Sequence, residues 1–236
     1  MAKRLPDVIT TCTPEQMFHA LALAWVNMFD EVPKINSILV LLCQWVLETG
    51  WGKSCHCWNV GNFKSSDGDG YDYVYYKCDE RYDPVQAQHY INNAGKRSDG
   101  SGLSNVVLES KNKDGTWTVY FWPDHPVSRF RASNTIEDGV KIYLSSMFNR
   151  FSKAWPAVLA GNPDAFVHLL KIQGYFTADE EQYRKTEHSV FNTLSVKHFD
   201  MSDLPILSDD HRAQIEGLIA LTSSQFSDTT PPEKLT

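Results

Sequence analysis

Between Asn36 and Thr49 the chain is apolar on almost every face that a helix would present. Ile38, Leu39, Val40, Leu41, Leu42, Trp45, Val46 and Leu47 leave no polar stripe. A helix of that kind belongs in the centre of a domain, with other elements packed around it. Pro33 breaks the chain before it, and Gly50 stands just beyond its end as a stop. Its unbroken apolar run, from Ile38 to Cys43, falls far short of the roughly 20 residues that span a bilayer. The spacing therefore predicts a buried central helix over 36–49 and no membrane span.

Glu48 is the exception on this helix. It sits at the C-terminal end, beside Trp45, Leu47 and Trp51. A carboxylate there is poorly solvated, which raises its pKa. The negative end of the helix dipole acts in the same direction. Both effects favour a neutral acid near pH ~6–7, the state that a general acid needs. The competing reading is a glutamate that merely caps or pairs at a helix end.

Around this centre the sequence reads as helices, then a strand-and-loop insert, then helices again. Thr13-Pro14-Glu15-Gln16 carries an N-cap, a proline at the first helical position and a capping box, so a helix should run from there to about residue 30. From residue 51 to about 130 the texture shifts to Gly, Asp, Ser, Asn and Tyr. Strands are expected over 71–76, 105–110 and 116–122, the last two joined by a hairpin turn at Asn112-Lys113-Asp114-Gly115. Helices are expected again from Asn134 to about 149, from Pro156 to Gly161, from Asn162-Pro163 to about 173, from Thr177 to about 192 and from Ser208 to about 221. This pattern gives an α+β fold: a mainly helical lobe with a small inserted β lobe, about 59–130, inside a domain covering 1–200. Residues 201–236 should form a C-terminal helix and a loose polar tail.

Composition removes several function classes. The chain has 236 residues, 42% hydrophobic and 12% aromatic, which is incompatible with a disordered chain. A net charge of -7 argues against a nucleic-acid partner, which calls for clustered Lys and Arg. Met-Ala-Lys-Arg-Leu-Pro-Asp lacks the apolar stretch of a secretory signal, so synthesis in a cytoplasm, with export by a route other than a cleaved signal, is expected. Five cysteines are too few and too odd in number for a disulfide scaffold. Cys55-His56-Cys57 with Cys78 matches no common zinc spacing, so free thiols or one local disulfide are expected, with no metal and no cofactor. Asp67-Gly68-Asp69-Gly70 resembles half of a calcium loop without the remaining ligands and is read, with Asp72, as turn chemistry.

Four motifs, in order, resemble one family. Gln44-Trp45-Val46-Leu47-Glu48-Thr49-Gly50-Trp51-Gly52-Lys53-Ser54, followed by Trp58-Asn59-Val60-Gly61-Asn62-Phe63-Lys64, is similar to the helix end and the Asn-Leu-Phe-Gly-Ile-Lys segment of the bacterial glucosaminidases, glycoside hydrolase family 73. Val106-Val107-Leu108-Glu109 resembles the family's β-lobe strand that carries a second acid. Ser128-Arg129-Phe130-Arg131-Ala132-Ser133 resembles its Phe-Arg-x-Tyr-x-Ser segment, and Gly174-Tyr175-Phe176-Thr177-Ala178-Asp179 with Tyr183 its Gly-Tyr-Ala-Thr-Asp-x-x-Tyr motif. The match extends from about Thr13 to Phe191. It departs at Cys43-Gln44-Trp45, where the family has small residues, and in the length of the β lobe.

The resemblance implies a lysozyme-like fold and hydrolysis of a β-1,4 glycosidic bond in the glycan strand of peptidoglycan. It implies an N-acetylglucosaminidase, with a muramidase or a non-catalytic glycan-binding protein as alternatives. Glu48 would be the general acid, Glu109 the second carboxylate, with Asp67, Asp69 and Asp72 of the insert as competitors for that role, and Tyr175 a catalytic hydroxyl. Trp51, Trp58, Asn59, Asn62, Trp122 and Tyr183 would contact substrate. Action on the bacterial cell wall, in the periplasm, would follow delivery by another route, as for a phage lysis protein or a secreted effector. An effector would have an immunity protein as partner.

Overall fold

The structure is a computed structural model. It describes residues 2–93, 106–176, 178–202 and 204, and for residues 106–110 the backbone alone. The helix expected from Ser208 and the tail after it lie outside the described residues, as does Thr177.

Helix α1 (Pro14–Phe29) opens as its sequence dictates. The Thr13 hydroxyl accepts from the Gln16 amide and the Gln16 side chain accepts from the Thr13 amide, a closed capping box. Helix α2 (Ile35–Thr49) is the apolar one. Every residue from Ser37 to Val46 is buried, and Gly50 ends it in the left-handed conformation. The main core gathers around it. Phe18, Leu21 and Trp25 come from α1, and Tyr143, Leu144 and Met147 from α4 (Ile136–Asn149). Helices α5 (Trp155–Leu159), α6 (Pro163–Ile172) and α7 (Glu180–Ser195) complete the shell. Trp25 stacks on Trp155 with ring centroids 5.0 Å apart, tying α1 to α5. Among the described residues no helix is long and apolar enough to cross a membrane.

The insert is a small β lobe in two sheets. β1 (Tyr73–Tyr75) pairs antiparallel with β5 (Arg129–Arg131). In the other sheet β4 (Trp117–Phe121) lies between β2 (Cys78–Tyr82) and β3 (Val106–Lys111). The expected hairpin between β3 and β4 is present, with Gly115 at positive φ in its turn. Two elements of this lobe depart from the sequence reading. β2 is charge-rich and short. Helix α3 (Pro84–Asn92) follows it, capped by the Asp83 carboxylate on the Val85 and Gln86 amides. Two helix starts are also corrected. α4 is capped by Thr135, one residue after Asn134, and the cap of α7 is Asp179. The fold is α+β, a helical lobe with a small β lobe inserted after α2.

All five cysteines are free, so the expected option of a local disulfide is not realised. Asp69 accepts from the Ser66 and Tyr71 amides, which is the turn chemistry read from the sequence, whereas Asp72 accepts from the Lys3 amide, a long-range contact that ties the N-terminal segment to the start of β1.

Candidate active site

Glu48 ends the last turn of α2 at the junction of the two lobes. Three side chains donate to or bond its carboxyl. Tyr183 Oη donates to Oε1 at 2.9 Å, and Gln44 Nε2, one turn back on α2, donates to the same oxygen at 2.9 Å. Asn62 is the third, from the loop below. Gln44 also donates to Tyr183 Oη at 2.8 Å, so the three groups form a closed triangle. Phe176 stacks on the Tyr183 ring with centroids 4.1 Å apart and fixes its plane.

Burial dominates the carboxyl's protonation. It pushes the pKa from 4.5 to about 7, against the lowering effect of the Tyr183, Asn62 and Gln44 bonds; the negative charge of Glu80 adds a smaller upward push. The group is thus protonated in acid and half-ionised near neutrality while its ionised form already has donors in place. Those are the two properties that a general acid requires before and after it gives up a proton.

The loop of residues 59–63 is built to hold Asn62. Asn59 is buried, and its side chain closes the loop: Nδ2 donates to the Phe63 carbonyl at 3.0 Å and Oδ1 accepts from the Phe63 amide at 2.8 Å. Asn59 therefore fixes the loop from inside the protein. Asn62 stands at positive φ and accepts from the Tyr76 hydroxyl while bonding Glu48. Two residues on, Lys64 Nζ pairs with Glu80 Oε1 at 2.8 Å, donates to the Val127 carbonyl at 2.8 Å and sits 3.9 Å above the Phe130 ring. The segment from Asn62 to Lys64 thus spans from Glu48 to a second carboxylate in the β lobe. Glu80 escaped the sequence reading because Cys78–Tyr82 looks like a solvated charged stretch. In the structure the strand's burial alternates, with Glu80 on the inner side between Cys78 and Tyr82.

The other expected site residues divide. Tyr175 lies beside the triangle, but its hydroxyl donates to the Gly61 carbonyl at 2.7 Å and its ring packs on Phe63 and Phe151. The hydroxyl on Glu48 is that of Tyr183, read from sequence as a substrate contact. Glu109 is in β3, at a bulge where the register slips between Leu108 and Ser110. Its side chain lies outside the described residues. Leu108 is the residue in register with Val119, which in turn faces Glu80. Trp51 follows the end of α2, three residues after Glu48, and is 41% exposed. Trp122 is partly exposed after β4, with Lys77 Nζ 4.8 Å over its ring. Trp58 lines a different groove, of about 700 Å³, between α1, α4 and the segment after α7, and Glu48 does not line it. Among the described residues no group of three or more His, Cys, Asp or Glu side chains is placed to hold a metal ion.

No family model matches the chain, and no curated protein matches it in sequence. Solved structures similar to it include a peptidoglycan hydrolase mutant from Sphingomonas sp. A1, 20% identical, with a TM-score of 0.40 over 86% of this chain and 92% of that one. The glycoside hydrolase domain of Salmonella typhimurium FlgJ is 14% identical, with a TM-score of 0.40 over 92% of this chain and 99% of that one. The catalytic domain of the autolysin Auto from Listeria monocytogenes is 13% identical, with a TM-score of 0.40 over 79% and 87%.

Proposed function

We propose that this protein hydrolyses the β-1,4 glycosidic bond of the peptidoglycan strand, as an N-acetylglucosaminidase, with Glu48 as the general acid. The observation that carries the reading is the Glu48 carboxyl itself, raised by burial to about 7 and bonded by Tyr183 and Gln44. The four motifs of the sequence supply the substrate class.

In this mechanism Glu48 gives its proton to the glycosidic oxygen as the bond to the anomeric carbon breaks. The leaving sugar departs as a neutral alcohol, and the carboxylate left behind is held by the Tyr183, Gln44 and Asn62 donors. Positive charge builds on the anomeric carbon and ring oxygen. A second carboxylate faces that charge or takes the proton of the attacking water. Glu80 is a β-lobe carboxylate whose charge is felt at Glu48, and it takes this role in our reading; Glu109 is the residue that the sequence resemblance proposes. Trp51 and Trp122, both accessible, supply faces on which sugar rings can stack.

The test is a digest of purified peptidoglycan, with the products reduced by borohydride and identified by mass spectrometry. New glucosaminitol ends support the proposal. Muramitol ends would move the enzyme to the muramidases, and saturable binding without products would make it a glycan-binding protein. Glu80→Gln and Glu109→Gln, assayed side by side, assign the second acid: loss of about 100-fold or more is expected for Glu80→Gln.

A further inference from the structure

Glu187 is a carboxylic acid that the mechanism above leaves unused. It lies in α7, one turn after Tyr183, with 0% of its surface exposed. Neither carboxyl oxygen has a hydrogen-bond partner among the described residues. The charged and titratable groups that reach it are Glu48 and Cys43 from α2, Tyr143 from α4, Asp164 from α6, Tyr175 after α6 and Tyr183 on its own helix. None of them is a cation; burial is the main effect, the charges of Glu48 and Asp164 add to it, and the group stays neutral well above the usual carboxylate range. A neutral carboxyl carries one O–H donor that needs an acceptor.

Gln44 has the matching vacancy. Its amide nitrogen is committed to Glu48 and Tyr183, while its buried carbonyl oxygen, Oε1, has no partner among the described residues. Gln44 and Glu48 are one turn apart on α2, as Tyr183 and Glu187 are on α7, and Tyr183 touches both members of the first pair. The two ends of an amide have nearly the same shape, so partners alone decide which end faces Glu48. With the nitrogen toward Glu48 the amide stabilises the ionised acid. Turned over, its carbonyl would oppose that carboxylate and would draw the Tyr183 hydroxyl away from it.

We infer that Glu187 is a positioning residue for Glu48: its protonated carboxyl donates to Gln44 Oε1 and locks the amide with its nitrogen toward the acid. The role rests on the proposed hydrolase reading for its catalytic meaning, while the lock itself concerns the titration of Glu48. Glu187→Leu removes the donor without adding a charge. Glu187→Gln keeps a donor of similar shape that cannot ionise.

The experiment follows the Glu48 carboxyl by 13C NMR across pH, alongside the pH dependence of glycan cleavage. Glu187→Leu is expected to raise the Glu48 midpoint by about one unit and to lower kcat about tenfold, with KM within about twofold. Glu187→Gln should restore both. In a Gln44→Met background the leucine substitution should shift nothing further. Glu187→Met replaces the leucine variant if that one does not fold. A Glu48 midpoint identical in wild type and Glu187→Leu, or a Glu187→Gln protein that behaves like the leucine variant, overturns the inference. Because the NMR titration needs no turnover, a wild type that cleaves no glycan would refute the hydrolase reading and leave this test standing.

Discussion

Glu48 has three donors and one burden. Burial works against its ionised form, while Tyr183, Gln44 and Asn62 work for it, and burial wins. Removing a donor must therefore move the balance further in the same direction. Tyr183→Phe deletes the 2.9 Å bond to Oε1 and is expected to raise the alkaline limb of the rate profile by about one pH unit, since a hydrogen bond to a charged group is worth about 1.5–3 kcal/mol. A pH–rate profile that overlays the wild type would show that the hydroxyl does not act on the acid. In the wild type itself, kcat/KM should fall about tenfold per unit above the midpoint near pH 7 as the acid loses its proton.

At the scale of elements, the α2–α7 contact holds two carboxyls with raised pKa values, Glu48 and Glu187. In the folded protein Glu48 binds its proton up to about pH 7, against 4.5 in an unfolded chain. Its contribution to stability is whole below about pH 4.5 and is lost as pH rises toward 7, a change of about 3 kcal/mol. Glu187 has the same sign. Thermal melts are expected to show the wild type losing stability from pH 5 to pH 8, and Glu187→Gln losing less of it. A flat wild-type curve would contradict the protonation of this contact.

Another element-scale contact sets the site loop against α4. A methyl group built on Gly139 would stand 2.2 Å from the Trp58 carbonyl oxygen, next to the loop that holds Asn62. Gly139→Ala should cost about 2 kcal/mol and lower Tm by about 4–8 °C. It should also reduce activity, and calorimetry with the glycan assay checks both.

The elements differ in how plainly their sequences announce them. α1 carries a closed capping box, α2 a glycine stop at Gly50 and an apolar pattern that admits one reading, and the placement of Glu48 follows from them. β2 and α3 were hidden because Cys78–Tyr82 and Pro84–Asn92 have little apolar periodicity; Asp83-Pro84 was the one local signal of a helix start. Tyr183 was visible as a motif residue, but its bond to Glu48, 135 positions away, depends on how α7 packs on α2. Lys64 and Glu80 meet only once the β lobe has folded back over the 62–64 segment.

For the whole molecule, the proposed mechanism takes its acid from the helical lobe and its opposing carboxylate from the β lobe, which sets the proposed reaction at the junction between them. The most direct test compares release of reducing ends from purified peptidoglycan by wild type and Glu48→Gln at pH 6, with folding of both verified by melting. The account predicts that wild type releases them and that the variant, which keeps the shape but has no proton to give, is slower by about 100-fold or more. A Glu48→Gln protein that cleaves the strand at the wild-type rate would contradict it.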